Sequence, residues 1–202
     1  MTMFNIKSIL SRSLLALALV SGAGAAFAGP TYHVSVDTQT LGTGAAYLDL
    51  GLGSLGGAAP VTATLSHFTG VFGGYADLLG ASSGSVDGTV VLNNSVGWSD
   101  LFQEIVLGGL FGFDVSFDTS GDGAGTTFGV ALFGADMMTN LGLPGNLVQI
   151  DLQPGMADVV SPANAFGSAT VAAAADVPEP AELALVMTGL GLMGLMRRRR
   201  AG

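Results

Sequence analysis

Apolar residues recur at every second position in much of the stretch between residues 32 and 173. In the clearest case, Phe111, Phe113, Val115 and Phe117 alternate with glycine and polar residues. Alternation with a period of two is typical of a β-strand that buries one of its faces. The same pattern predicts further strands at residues 32–37, 47–52, 61–66, 86–92, 128–132, 148–152 and 168–173.

Two stretches depart from this pattern. Residues 81–85 are rich in glycine and serine, which predicts a turn. Between Ser99 and Leu107 the apolar spacing is irregular, and Ser99 is a candidate cap for a short helical turn that contains Leu101, Phe102 and Ile105.

Many short strands without a long helical pattern favour an all-β fold. We expect an antiparallel β-sandwich, jelly-roll-like by preference, with a barrel as the alternative. The sandwich is predicted to occupy residues 29–160, and residues 161–176 to hold a last strand and a linker. An N-terminal signal helix and a C-terminal hydrophobic helix are expected to flank this body.

Residues 1–28 have the features of a secretory signal peptide. Two basic residues precede an apolar run at 14–20, and Ala26 and Ala28 form a small-x-small cleavage site. The pattern predicts Gly29 as the first residue of the exported protein; a cut three residues earlier is the alternative.

Residues 177–202 carry three features in a fixed order. Two prolines around one glutamate prevent the motif at 177–180 from joining a helix or a sheet ladder. The uncharged run at 183–196 would span about 21 Å as a helix, less than the roughly 30 Å of a bilayer core. A terminal arginine cluster predicts that the C-terminus stays cytoplasmic. The motif is Val177, Pro178, Glu179 and Pro180, and the cluster is Arg197, Arg198, Arg199 and Arg200.

This order of motif, apolar run and arginine cluster resembles the PEP-CTERM sorting signal of Gram-negative bacteria. The resemblance implies that an exosortase, a membrane transpeptidase-like enzyme, recognises and removes the tail. Pro178, Glu179 and Pro180 would then be recognition residues for that enzyme. The body also looks like the cargo domains found ahead of such tails, a similarity that brings no catalytic residues with it.

The two ends together predict the route and the partners of the protein. The expected partners are the secretion machinery, signal peptidase, an exosortase and the inner membrane, which the C-terminal helix would enter. We expect transient anchoring in that membrane, followed by release to the cell surface or the extracellular matrix. The resemblance adds extracellular polysaccharide and biofilm matrix as associated material.

The exported body is anionic throughout. All 6 Lys and Arg residues lie in the two targeting ends, and of the 15 acidic residues only Glu179 and Glu182 lie beyond Asp176. Gly29 to Asp176 therefore holds 13 acids and no Lys or Arg. Such a body cannot neutralise phosphates, which excludes nucleic acid as a partner. Each acid must be solvated, hydrogen-bonded or bound to a cation.

Calcium is the one cofactor for which the sequence offers a candidate site, although none is required. The turn after residue 117 places Asp118 and Asp122 among glycines, with Asp114 or Asp136 as further oxygen donors. Ca²⁺ takes six to eight oxygen ligands. An ordinary solvated hairpin is the alternative, because Asp and Gly are common in turns.

Other candidate chemistry is sparse. His33 and His67 both fall on predicted polar strand faces, and a metal site would need a third ligand beside them. Asp114 and Asp118 lie about 13 Å apart on one strand, too far for a glycosidase pair, whose carboxyl groups are about 5 to 9.5 Å apart. The chain has no cysteine to act as a thiol nucleophile. We therefore predict no catalytic residues and no enzyme.

Trp98, beside Asp100 and Glu104, is a candidate ligand residue because aromatic faces pack on sugar rings. Packing within the core or a loop is the alternative for a single tryptophan. The favoured hypothesis is an exported, non-enzymatic surface or matrix protein with a structural or adhesive role. The alternative hypothesis is a carbohydrate-binding module assisted by Ca²⁺.

Overall fold

The computed structural model describes residues 29–172. The predictions for the signal peptide, the sorting motif, the hydrophobic helix and the arginine cluster lie outside the described residues. Within them, no helix has the length and apolarity needed to cross a membrane.

Residues 29–172 form strands joined by turns and one short 3-10 helix at Asn94–Val96. The strands are β1 (Thr31–Asp37), β2 (Gly44–Ser54), β3 (Val61–Thr69), β4 (Phe72–Leu79), β5 (Ala81–Gly84), β6 (Val90–Asn93), β7 (Trp98–Leu107), β8 (Leu110–Thr119), β9 (Thr126–Phe133), β10 (Asn146–Leu152), β11 (Val159–Val160) and β12 (Gly167–Ala172).

The strands make two six-stranded antiparallel sheets. The first sheet has the order β12-β1-β8-β3-β6-β5, and the second has the order β11-β10-β9-β2-β7-β4. The prediction of an all-β fold with antiparallel sheets is confirmed, and the arrangement is consistent with a β-sandwich.

The apolar positions of the alternating pattern form one core to which both sheets contribute. Val34, Leu65 and Val115 of the first sheet and Leu50 and Val130 of the second are buried in one cluster. Phe128 of β9 is fully buried, and its ring meets those of Phe113 and Phe117 of β8 at centroid distances of 6.4 Å and 5.6 Å. The core therefore joins the sheets, and polar residues of the pattern lie on the two outer faces.

The prediction of a helical turn between Ser99 and Leu107 is wrong, because this segment is strand β7. Its inward positions are Ser99, Leu101, Gln103 and Ile105, all buried. The outward positions also include an apolar residue, Phe102, so the hydrophobic period of two is lost from the sequence. An outer face that carries aromatic side chains produced the irregular spacing.

The turn predicted at residues 81–85 is also wrong, because Ala81–Gly84 forms the short edge strand β5. The turn lies after it and includes Val86, which the alternating pattern had placed in a strand. Strand β4 gave no clear signal, since it is an edge strand with mostly exposed residues and a bulge between Phe72 and Ala76. The buried Gln103 amide stabilises this bulge by donating to the carbonyl oxygens of residues 73 and 75.

Candidate ligand-binding face

Trp98 lies on the outer face of the second sheet, above two glycines of β2. Cβ atoms built on Gly51 and Gly53 would each come within 2.8 Å of the six-membered ring of the indole. Only glycine at both positions lets the ring approach the strand so closely. Trp98 remains 48% exposed, so one side of the ring covers the backbone and the remainder faces solvent. We call Trp98 with Gly51 and Gly53 the Trp98 platform.

Aromatic side chains continue the same outer face. The rings of Tyr47 and Phe102 stack with a centroid distance of 5.1 Å and an interplanar angle of 7°. Tyr75 meets Tyr47 edge to face, and Phe133 packs against Phe102 at a tilt. This packing forms a layer of aromatic rings beside the Trp98 platform.

Two carboxylates lie among these rings. Asp100 Oδ2 accepts a hydrogen bond of 2.8 Å from Trp98 Nε1, which holds the indole in position. Asp49 is paired with Phe102 in the β2–β7 register and is only partly exposed. Its Oδ1 atom is buried and has no hydrogen-bond partner among residues 29–172. Burial, together with the negative charge of Asp100, raises the pKa of Asp49 to about 6.

A third acid on this face, on strand β10, has hydrogen-bond donors within the protein. Asp151 of β10 accepts hydrogen bonds from the Thr127 hydroxyl at 2.7 Å and from the Gln149 amide at 3.0 Å. Unmet hydrogen-bonding capacity on the second sheet is therefore found at Asp49, next to the aromatic surface.

A pocket of about 270 Å³ opens at the end of β2. Its lining includes Ser54 and Gly97. Ser54 directly follows Gly53 in the chain, and Gly97 directly precedes Trp98. Asn93 and Asn94 also line the pocket. The buried Asn94 amide is used structurally, since it donates to Ala59 and Thr126. The platform thus borders a recess lined largely by small and polar residues.

The outer face of the first sheet brings together the two histidines of the chain. His33 Nδ1 lies 2.8 Å from Asp114 Oδ1, and His67 Nδ1 lies 2.9 Å from Asp114 Oδ2. We call these three residues the His–Asp cluster. Hydrogen bonds from His33 foremost, and from His67, lower the pKa of Asp114. The count of Lys and Arg residues does not reveal this pairing, because the partners of Asp114 are histidines.

A bulge in β3 places His67 in the cluster. Ser66 is the register partner of Asp114, so His67 would point inward in a regular strand. The register shifts between Ser66 and Thr69, and His67 adopts a φ of 55°. Bulges bend strands and re-aim side chains in this way. The prediction that both histidines lie on polar faces is confirmed, and both are exposed.

The acids of the candidate calcium site do not share one place. Asp118 and Asp122 are exposed at the end of β8 and in the following turn. Asp114 belongs to the His–Asp cluster. Asp136 accepts hydrogen bonds from Thr139 and from the Met138 backbone within its own turn, which lower its pKa to about 2. Within residues 29–172, no group of three or more His, Cys, Asp or Glu side chains is arranged to hold a metal ion.

One motif escaped the sequence analysis. Residues 80–84, Gly-Ala-Ser-Ser-Gly, match the Gly-x-Ser-x-Gly spacing of a hydrolase nucleophile elbow, which requires a strand-to-helix turn. Here the serine, Ser82, lies in edge strand β5 and donates to the Leu79 carbonyl. Both histidines of the chain bond to Asp114 instead, so the spacing does not assemble a serine–histidine pair.

Sequence reasoning named Trp98 but missed Asp49 as its neighbour. The available signal was the pair Gly51 and Gly53 at alternate positions of one predicted strand, since glycine within a strand often marks a close approach by another group. Comparison with protein-family models, curated proteins and solved structures found no match to this chain.

Proposed function

We propose that this chain is an exported, non-enzymatic protein of the bacterial surface or extracellular matrix that adheres to polysaccharide through the outer face of its second sheet. The Trp98 platform is the observation that carries this proposal. Carbohydrate binding, which was the alternative hypothesis, thereby supplies the molecular basis for the adhesive role.

The Trp98 platform suits a sugar ring for physical reasons. An indole held against the backbone by two glycines and by Asp100 loses little conformational freedom when a ligand packs on it, so little of the binding energy is lost to ordering. Pyranose rings present C–H groups to such a face and hydroxyl groups at their rim. Asp49 and Asp100 offer acceptors at that rim.

For the fold we infer a jelly roll. The support is the pairing of six of the first eight strands, in which β1 lies beside β8, β2 beside β7 and β3 beside β6, while β4 and β5 form edges of different sheets. This nesting is the order expected when one long antiparallel pair folds over on itself to give two sheets. Strands β9 to β11 then widen the second sheet next to β2, and β12 widens the first next to β1.

The route proposed for the chain rests on its two ends. Ala26, Ala28 and Gly29 would form the signal-peptidase site, and the motif at 177–180 the exosortase site. The arginines at 197–200 would retain the C-terminus in the cytoplasm until the tail is removed. The body would then reach the cell surface or the matrix, where polysaccharide is available.

Binding is tested with the full chain, purified in a detergent without a sugar headgroup and co-sedimented with extracellular polysaccharide of the producing cells. We expect saturable binding that Trp98→Ala abolishes. Leu110→Ala is the matched control, because Leu110 is an exposed apolar residue on the first sheet, 60% accessible. Parallel samples with Ca²⁺ and with a chelator test for calcium assistance. Absence of binding in both, or equal binding by Trp98→Ala, would refute the adhesive function.

Sorting is tested separately in cells. Replacing Arg197 to Arg200 with serine removes the charge that keeps the C-terminus inside, so we expect impaired anchoring and processing. Unchanged fractionation and an unchanged mature mass would contradict the proposed route while leaving the binding proposal intact.

A further inference from the structure

We propose that the Trp98 platform recognises a polysaccharide with free amino groups, that is, de-N-acetylated hexosamine units, and that Asp49 accepts the ammonium group. This inference rests on the proposed function, because it names the class of sugar that the same site would take.

The Asp49 carboxylate lacks the hydrogen-bond donors that would offset its burial within residues 29–172. One of its oxygens is buried with no partner among residues 29–172, while the partly exposed side chain leaves the other within reach of a ligand. An ionised carboxylate that water stabilises poorly is unfavourable unless a cation or hydrogen-bond donors approach it. A ligand that brings a positive charge would therefore gain more here than a neutral ligand.

Asp100 adds to this requirement. It lies on β7 opposite Gly51, two register positions from Asp49 and on the same outer face, and the two charges repel each other. Trp98 Nε1 occupies only the Oδ2 atom of Asp100. An ammonium group has three donors, so it is able to serve Asp49 and Asp100 together. A hydroxyl group has one donor and does not relieve the repulsion.

Residues 29–172 supply no cation to this face. Gly29 to Asp176 contains no Lys or Arg, and both histidines bond to Asp114 on the first sheet. Anionic polysaccharides would be repelled by the same charges. A divalent ion requires more ligands than Asp49 and Asp100 provide. An organic cation attached to a ring that packs on Trp98 satisfies both parts of the site at once.

The test compares short β-1,4-linked tetramers of glucosamine, N-acetylglucosamine and glucose, which share the same pyranose ring and differ in one substituent. The single tryptophan of the chain allows titration by intrinsic fluorescence of the full-length protein. At a pH just above 6, where more than half of the Asp49 side chains are ionised, we expect the glucosamine tetramer to bind at least tenfold more tightly than the glucose tetramer. Asp49→Asn should remove most of this preference while binding to the glucose tetramer persists.

Asp87→Asn is the matched control, since it removes the same charge from an exposed position in the turn between β5 and β6 of the first sheet. It should leave the preference unchanged. An equal loss in Asp87→Asn and Asp49→Asn would overturn the inference, because the preference would then reflect general attraction of a polycation. A preference that survives intact in Asp49→Asn would also overturn it.

Acidification sharpens the test. Below about pH 6, Asp49 takes up a proton while the sugar amines stay charged, so the preference for glucosamine should decline in the wild type. Equal affinity for all three tetramers would refute the amino-sugar inference and retain polysaccharide binding. Failure of every tetramer and of the cellular polysaccharide to bind would refute the proposed function itself.

Discussion

The outer faces of the two sheets differ in how far their acidic side chains are hydrogen-bonded within the protein. On the first sheet, Asp114 receives hydrogen bonds from both histidines, so its charge is met within the protein. On the second sheet, Asp49 has a buried oxygen with no hydrogen-bond partner among residues 29–172 and lies beside a second acid, an exposed tryptophan and stacked aromatic rings. On one face the acid is hydrogen-bonded within the protein. On the other face an acid lacks, within the described part of the chain, hydrogen-bond donors that a ligand could supply.

This difference distinguishes an acid whose hydrogen bonds are met within the fold from one that is left short of donors, a distinction that composition alone does not make. An acid whose hydrogen bonds are made within the fold supports local structure, as Asp114 does for the bulge at His67. An acid left short of donors lowers the stability of the folded state at neutral pH, and a ligand is able to recover that loss. Variants that affect both faces, one face or neither test the distinction.

The largest effect is expected from the core that both faces share. Phe128→Ala removes a fully buried ring that packs on Phe113 and Phe117. We expect a loss of about 3 to 5 kcal/mol in the free energy of unfolding, measured by urea denaturation. Polysaccharide binding and the hydrogen bonds of the His–Asp cluster should be lost in the same unfolding transition. A loss of stability below about 1 kcal/mol would contradict the description of this ring as a central core element.

Asp49→Asn is expected to stabilise the protein at neutral pH. The native pKa of about 6 lies above the ordinary value, so the native state holds more protons than the unfolded state between about pH 4 and 6. Its stability therefore falls as the pH rises through this window. A shift of about two pKa units corresponds to about 2.7 kcal/mol. Partial exposure and the unpaired new amide reduce this, so we expect a gain of about 1 to 2 kcal/mol.

Thermal unfolding at two pH values measures this effect. The melting temperature of Asp49→Asn should exceed that of the wild type at pH 7, and the two should converge near pH 4. A variant that is less stable than the wild type at pH 7 would show that Asp49 is satisfied after all.

Gly53→Ala separates ligand binding from stability on the second face. The new Cβ would lie 2.8 Å from two carbons of the Trp98 ring, so the indole must move away from the strand. We expect a loss of about tenfold in polysaccharide affinity, equivalent to about 1.4 kcal/mol, and a shifted tryptophan emission. Gly88→Ala is the control, since its Cβ would meet open space. Unaltered emission in Gly53→Ala would show that the ring tolerates the methyl group.

Asp114→Asn tests the first face and should have the smallest effect. Exposed ion pairs and hydrogen bonds contribute little, so we expect a destabilisation of about 0.5 to 1 kcal/mol at pH 7. The lowered pKa of Asp114 stabilises the fold above the ordinary carboxyl range, and this contribution is lost as the pH falls through the native value. The difference between variant and wild type should therefore vanish in strong acid, and polysaccharide binding should remain intact throughout.

Much of the fold was predictable from local alternation because the strands that pack one face on the core keep a period of two. Phe111 to Phe117, now within β8, is the clearest example. The prediction failed at β7 because Phe102 faces outward and stacks on Tyr47, which hides the period. It missed β4 because an edge strand with exposed residues has no buried face to reveal.

The sequence by itself determined the anionic body, the candidate role of Trp98 and the expected targeting ends, since charge count and motif order need no tertiary information. Only the tertiary structure decided which acids are satisfied. His33, His67 and Asp114 come from three strands, and a bulge turns one of them outward. Asp49 is desolvated within a sheet where its register partners are Phe102 of β7 and Ala131 of β9. Desolvation and hydrogen bonding depend on neighbours that are distant in the chain, so spacing along the chain does not reveal them.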